Sequence, residues 1–101
     1  AVPTGLFLEI PVGYEGQIRA RSGMSLKHGI TMANGVGTID SDYRGEIKVL
    51  IVNISDKEYT IKNNDRIAQM IIAKYERADF KLVEELSDTS RDKGGFGHTG
   101  Y

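Results

Sequence analysis

The run EIKVLIVNI at residues 46–54 is the longest apolar stretch of the chain, and it decides which fold the sequence favours. It is apolar on both faces from Val49 to Val52, which predicts a strand that is buried on both sides. The polar residues SDKE at 55–58 predict a hairpin turn, and YTI at 59–61 predicts the returning strand. This arrangement indicates a domain built from short strands.

Short apolar runs lie on both sides of this stretch, and turn residues separate them. In KNND at 62–65, Asn64 is expected to adopt a left-handed backbone conformation. The segment 78–86 is compatible with a strand or a helical turn. The remaining predicted strands are GLFLEI (5–10), GQIRA (16–20), GITMA (29–33) and RIAQMIIAKY (66–75). Because no long amphipathic helix is present, the pattern favours an all-β sandwich, barrel or jelly roll.

Length and composition restrict the function classes. The 101 residues suit one domain, which we place at 1–86, followed by a flexible glycine-rich arm at 87–101 with almost nothing to bury. A net charge of -1, from 13 basic and 14 acidic residues, argues against broad attraction to nucleic acid or membranes. The absence of cysteine excludes disulfides, thiolate metal sites and thiol catalysis. With no apparent signal peptide, a cytoplasmic location is expected.

The segment RARSGMS at 19–25 is the first candidate for chemistry. Arg21, Ser22 and Gly23 offer a guanidinium, a hydroxyl and an unobstructed backbone N–H at the end of a predicted strand. Together these groups can hold phosphate oxygens. The alternative is an ordinary turn without a ligand.

The segment NGVGTIDSDYRGEI at 34–47 is the second candidate. Asp40 follows an extended stretch, and a carboxylate fixed at a pocket edge can activate water as a general base. Asn34 could read an amide-like base edge, and Tyr43 could pack flat against a sugar. The alternatives are a turn-forming aspartate and a tyrosine that belongs to the core.

The arm is the third candidate. In RDKGGFGHTG at 91–100, the glycines free backbone N–H groups for phosphate, and Arg91 and Thr99 add a charge and a hydroxyl. Phe96 could stack on a base. The alternative is a disordered terminus, although such a segment has no need of an aromatic ring.

Taken in order, these segments resemble the trimeric dUTP pyrophosphatases, or dUTPases. RSGMSLKHGI (21–30) looks like the second motif of that family, NGVGTIDSDYRGEI (34–47) the third, DRIAQMI (65–71) the fourth and RDKGGFGHTG (91–100) the fifth. Four ordered motifs that span almost the whole chain make the resemblance specific. The first motif, an Ala-Gly-x-Asp-Leu-like stretch, is lacking, so the domain is expected to be N-terminally incomplete relative to the family.

The resemblance implies a distorted jelly-roll-like β domain that forms a homotrimer with shared active sites. It implies hydrolysis of dUTP to dUMP and pyrophosphate with Mg²⁺ on the triphosphate, which limits uracil in DNA and supplies dUMP for thymidylate synthesis. Asp40 would be catalytic, and no residue of the chain would bind the metal directly. The implied substrate-binding residues are Arg21, Ser22, Gly23, Asn34, Gly37, Thr38, Ile39, Tyr43, Lys48, Gln69, Arg91, Phe96, Gly97, His98 and Thr99.

The third motif would line the uracil and deoxyribose pocket, and the arm of another subunit would close over it. His98 stands where the family frequently has serine, and it can still donate a hydrogen bond to phosphate. Three alternatives remain. They are a dCTP deaminase-like enzyme, a non-catalytic nucleotide-binding dUTPase-like module, and a structural β-sandwich with a disordered tail.

Overall fold

The computed structural model describes residues 1–100, and in it the chain is mostly strands with one short helix. Tyr101, the last residue of the predicted arm, lies outside the described residues. The all-β fold class expected from the sequence is confirmed. The elements in chain order are β1 (Val2–Phe7), β2 (Tyr14–Ala20), α1 (Ser22–His28), β3 (Ile30–Met32), β4 (Gly37–Ile39), β5 (Glu46–Val49), β6 (Ile51–Asn53) and β7 (Ala68–Lys74).

The strands pair into three small antiparallel sheets. β2 is the central strand of the sheet β4-β2-β7, and its residue Ile18 lies opposite Gly37 on one side and Met70 on the other. β1 pairs with β5, and β3 pairs with β6. Because only Leu50 separates β5 from β6, one apolar run passes from the first of these two sheets to the second. Strands that change sheet in this way form the corners of sandwich-like β folds.

The hydrophobic core takes side chains from all three sheets. Its buried centre consists of Ile18 from β2, Met32 from β3, and Ile47 and Val49 from β5. Burying one such side chain contributes about 1.5–3 kcal/mol to folding. The core therefore fixes β2, β3 and β5 relative to one another, and residues of all three strands line the candidate site.

The helix α1 was not predicted from the sequence. Its first hydrogen bond runs from the Ser25 N–H to the Arg21 carbonyl oxygen (3.1 Å), and it ends at Gly29, whose φ is 66°. A Cβ at position 29 would lie 2.9 Å from the backbone nitrogen of Ser55, so both conformation and space require glycine. None of the seven helical residues is buried, and so short a helix leaves no apolar period in the sequence.

The prediction that residues 46–54 form one strand buried on both faces is wrong. The strand breaks at Leu50, which is 41% exposed, and Val52 is 37% exposed, whereas Val49 is buried. The Leu50 carbonyl oxygen accepts a hydrogen bond from the Ala33 N–H (2.9 Å), which directs the chain toward β3. The second face of this run has no covering layer within the described residues of one chain.

The predicted returning strand at 59–61 is also wrong, because β6 pairs with β3 instead. The turn itself is closed by Asn53, whose Oδ1 accepts from the Ser55 N–H (2.9 Å) and whose Nδ2 donates to the Lys57 carbonyl oxygen (2.8 Å). Residues 78–86 form neither strand nor helix. The first strand covers Val2–Phe7 instead of 5–10. The left-handed conformation predicted for Asn64 is confirmed, with φ of 68°.

A single chain leaves much apolar surface uncovered. The radius of gyration is 19.0 Å, whereas a compact domain of 100 residues has about 13 Å. Large apolar side chains are widely exposed, among them Leu26, Ile54, Phe80, Leu82 and Leu86. Many large apolar side chains of the described residues are therefore in contact with solvent in a single chain.

Candidate functional site

A cavity of about 300 Å³ is formed by residues of β2, β3, β4 and β5 and the loops that join them. Ile18, Met32 and Leu50 supply apolar wall, and Glu46 contributes a further polar group. This volume is at the small end of the range typical for small-molecule sites. Seven predicted site residues line the cavity: Asn34, Gly37, Thr38, Ile39, Asp40, Tyr43 and Lys48.

The turn between β3 and β4 places Asn34 at the cavity wall. The Gly35 N–H donates to the Met32 carbonyl oxygen at 3.2 Å, which closes the turn. Gly37 is buried, and a Cβ there would lie 3.2 Å from Nδ2 of Asn34 and 3.3 Å from Cβ of Ile18. The absence of a side chain at Gly37 therefore lets the Asn34 amide lie directly against β4. An amide in this place can offer one donor and one acceptor to a ligand.

Asp40 and Tyr43 lie on the tight turn that follows β4. The Tyr43 N–H donates to the Asp40 carbonyl oxygen (3.1 Å), and the Tyr43 hydroxyl donates to the Glu46 carbonyl oxygen (2.7 Å). The Asp40 side chain is exposed, and within residues 1–100 its carboxylate accepts no hydrogen bond and forms no ion pair. The backbone at Asp40 is thus fixed while the carboxylate is free to bind water or a ligand.

Arg44 stabilises the same turn, and sequence reasoning missed it. Its guanidinium donates to the carbonyl oxygens of Ser41 (2.7 Å) and Tyr43 (3.1 Å), and it pairs with the Glu9 carboxylate at 3.3 Å. Both partners of that pair are more than half exposed, so the pair itself contributes little. The sequence offered one signal for this role. Arg44 lies inside the segment 34–47, in which Asn34, Asp40 and Tyr43 were predicted to contact a ligand.

A second group of predicted site residues lies where β2 ends. Nε2 of Gln69 donates to the Ala20 carbonyl oxygen (2.9 Å), and Nη1 of Arg21 donates to the Arg66 carbonyl oxygen (2.6 Å). These bonds bring Gln69 of β7 next to the segment that leaves β2. The group consists of Arg21, Ser22, Gly23 and Gln69. Arg21 lines a different, largely apolar cavity of about 350 Å³.

The arm contains the third group. The Nε of Arg91 donates to the Gly94 carbonyl oxygen (2.6 Å), and the His98 N–H donates to the Gly95 carbonyl oxygen (2.9 Å). The Phe96 ring is fully exposed, at 108% of its reference area. These residues form a cavity of about 400 Å³ that is lined by Arg91, Gly95, Phe96, Gly97, His98 and Thr99. In one chain, residues of the three groups therefore line different cavities.

The structure gives no protein-built metal site in the described part of the chain. Within residues 1–100, no three histidine or carboxylate side chains are placed to hold a metal ion. Within the same residues, no helix has the length and apolar character that a membrane-spanning helix needs.

The fold and the cavity define the class of protein. It is an all-β protein with a cavity of the size typical for small-molecule sites, lined by an amide, a free carboxylate and an aromatic ring. Comparison with known proteins makes the assignment specific. Residues 1–100 match the family model described as dUTPase. This chain belongs to the dUTPase family.

Similar proteins agree with this assignment. The deoxyuridine 5'-triphosphate nucleotidohydrolase of Finegoldia magna is 64% identical over 100 residues, which are 99% of this chain and 70% of that protein. The protein of the same name from Fusobacterium nucleatum is 59% identical over 99 residues, covering 98% of this chain and 68% of its own length. The solved structure of the Staphylococcus bacteriophage 80alpha dUTPase with dUPNHPP has a TM-score of 0.79 and 29% identity, covering 94% of this chain and 72% of that one.

Proposed function

We propose that this protein hydrolyses dUTP to dUMP and pyrophosphate; the names of its relatives describe hydrolases of deoxyuridine 5'-triphosphate. The observation that carries the proposal is the cavity in which an amide, an aromatic ring and an unpaired carboxylate meet. Asn34 would pair with the uracil edge, and Tyr43 would pack on the deoxyribose. Lys48 lies on the same cavity wall and would face the phosphates, while residues 37–39 would form the floor under the nucleoside.

Asp40 would act as the general base. Its carboxylate removes a proton from a water molecule, and the water oxygen forms a bond to the α-phosphorus. The bond between the α-phosphorus and the oxygen that bridges to the β-phosphorus breaks, and pyrophosphate leaves with that electron pair. Asp40 then releases the proton to solvent. The exposed, unpaired carboxylate on a hydrogen-bonded turn supports this role, and general bases contribute about 10²–10⁴-fold to rates.

The two other groups would hold the triphosphate. Arg21, with Ser22 and Gly23, offers a guanidinium, a hydroxyl and backbone N–H groups, and Gln69 is tied to the same strand end. From the arm, Arg91 would bind phosphate together with residues 97–99, and Phe96 would stack on uracil. We therefore treat residues 1–86 as the body and residues 87–101 as an arm that orders on the nucleotide.

A homotrimer with shared sites would bring these groups together. Two observations support it. Residues of the three groups line different cavities in one chain, and the exposed apolar side chains leave surface for neighbouring subunits. In this arrangement the arm of one subunit would close the cavity of another and exclude water from the reacting phosphates.

Mg²⁺ would enter with the substrate. The described residues do not form a cluster of three carboxylates or histidines that could hold the ion, so the triphosphate oxygens would be its main ligands. When bound, the ion would neutralise phosphate charge. Tight binding of Mg²⁺ to the nucleotide-free protein, measured by calorimetry, would contradict this assignment.

Product analysis tests the proposed reaction. The protein is incubated with dUTP, dCTP or UTP in the presence of Mg²⁺, and pyrophosphate and ammonia are measured. A parallel reaction in ¹⁸O-labelled water follows the oxygen of the attacking water. We expect pyrophosphate from dUTP in preference to the other two nucleotides, no ammonia, and the label in dUMP.

The other outcomes separate the alternatives. Ammonia from dCTP would indicate a deaminase, and nucleotide binding without pyrophosphate would indicate a non-catalytic module. Label in pyrophosphate instead of dUMP would place the attack at the β-phosphorus and would contradict the role given to Asp40.

A further inference from the structure

The backbone of Gly45 forms the surface against which the Tyr43 ring lies. A Cβ at position 45 would be 2.6 Å from Cζ and 2.9 Å from Cε1 of Tyr43, and closer still to the hydroxyl oxygen. Non-bonded carbon atoms are most stable at about 3.5–4.0 Å, so any side chain at this position must displace the ring. The position of the ring in the cavity therefore depends on the absence of a side chain two residues further along the chain.

We propose that Gly45 is a positioning residue that sets the sugar selectivity of the site through Tyr43. This inference rests on the proposed function, in which the Tyr43 ring packs against the deoxyribose. A ring fixed in that place would leave no room for a 2'-hydroxyl. No site role was assigned to Gly45 from the sequence, and Gly45 itself does not line the cavity.

Few other contacts fix the ring. Tyr43 is 42% exposed. Within residues 1–100 its hydroxyl donates to the Glu46 carbonyl oxygen (2.7 Å), whereas its other polar contacts, with the Asp40 carbonyl oxygen (3.1 Å) and the Arg44 guanidinium (3.1 Å), hold only its backbone. A methyl group on residue 45 would move the ring by about 1 Å to restore normal contact distances. The hydroxyl bond to Glu46 would be lost with that movement, and the ring would no longer be fixed against the sugar.

The backbone itself tolerates alanine at this position. The φ of Gly45 lies outside the left-handed region, so Gly45→Ala introduces no conformational strain of the kind expected at Gly29. The substitution therefore acts on the ring and not on the turn. A misplacement of about 1 Å at a reacting or discriminating group can cost about 100-fold in rate.

Kinetic selectivity provides the test. The values of kcat/KM for dUTP and UTP are measured for the wild-type chain, Gly45→Ala, and the control Ser41→Ala in the same turn. We expect the ratio of kcat/KM for dUTP to kcat/KM for UTP to fall about tenfold or more in Gly45→Ala. In Ser41→Ala the ratio should stay within about twofold of wild type, because this substitution removes only a hydroxyl that forms no hydrogen bond within residues 1–100. A general structural defect would lower kcat/KM equally for both substrates and leave the ratio unchanged.

A double-mutant cycle with Tyr43→Ala isolates the proposed contact. Once the ring is absent, Gly45→Ala is expected to have no further effect on the ratio, because the two positions act through one contact.

A readout that needs no activity is the ¹⁹F spectrum of protein labelled with fluorotyrosine, in which the Tyr43 signal is assigned by its loss in Tyr43→Ala. The signal is expected to shift in Gly45→Ala and to stay in place in Ser41→Ala.

The outcomes distinguish this inference from the function on which it rests. A wild-type protein without a preference for dUTP over UTP would overturn both. A wild-type preference that persists unchanged in Gly45→Ala, or a Tyr43 signal that does not move, would overturn only the role of Gly45.

Discussion

Phe96→Ala is expected to impair catalysis strongly without affecting the stability of the fold. The ring is fully exposed in the free chain, and the hydrogen bonds around it join residues of the arm to one another, as from His98 to Gly95. Removing it therefore costs no packing in the body. In the proposed complex the ring stacks on uracil, a contact worth about 1–3 kcal/mol. This corresponds to a loss of about 5–150-fold in kcat/KM for dUTP.

The assay combines steady-state release of pyrophosphate with thermal unfolding, and Phe96→Tyr is the matched control. Tyrosine keeps the aromatic face, so kcat/KM should stay within about threefold of wild type, because stacking tolerates changes that preserve the ring. Phe96→Leu retains an apolar side chain without a ring and should resemble alanine. All three variants should unfold at the wild-type temperature.

Two results would refute this reasoning. If Phe96→Ala retains full kcat/KM, the ring makes no contact with the nucleotide in the rate-determining complex. If instead Phe96→Ala unfolds at a lower temperature in proportion to its loss of activity, the ring is a packing element of the assembled protein and the arm is not a lid.

Three further predictions concern the carboxylate, the arm and the core. Asp40→Asn should keep the dissociation constant for a non-hydrolysable dUTP analogue, measured by calorimetry, and lose about 100-fold or more in kcat; equal loss of binding would make Asp40 a structural residue. Deletion of residues 91–101 should leave the unfolding temperature unchanged and reduce turnover severely, and unchanged kinetics would contradict the lid role. Ile47→Ala should lower the free energy of unfolding in denaturant titrations by about 2–5 kcal/mol, because the side chain is only 2% exposed; a change below about 1 kcal/mol would contradict its place in the core.

Three of the predicted residues that line the cavity lie together because they are close in the chain. Asn34, Asp40 and Tyr43 come from one stretch of turn, strand and turn, so local backbone geometry suffices to bring them together. The extended backbone predicted before Asp40 is β4, and the left-handed Asn64 was found from turn chemistry alone. The backbone conformation at these positions depends on a few neighbouring residues, so it can be predicted from their types.

Features that depend on distant parts of the chain were not predictable in this way. The approach of Gln69 to Ala20 spans 49 positions and follows from the register of β2 with β7, which no local pattern encodes. The break at Leu50 depends on β5 and β6 having different partner strands. Only the ordered motifs of the family led to the prediction that Gln69 and Arg21 share one site. Val52 is exposed although the run is apolar on both faces, because no layer within residues 1–100 covers its second face.

Mixing two inactive variants tests most directly whether a complete site needs residues from more than one subunit. One chain carries Asp40→Asn with an intact arm, and the other keeps Asp40 but lacks residues 91–101. The two chains carry different tags and are refolded together, and assemblies that contain both are isolated. We expect each variant alone to be nearly inactive and the mixed assemblies to release pyrophosphate from dUTP, because an intact cavity then meets an intact arm from a neighbour. Mixed assemblies that remain as inactive as either parent would show that cavity and arm must belong to the same chain.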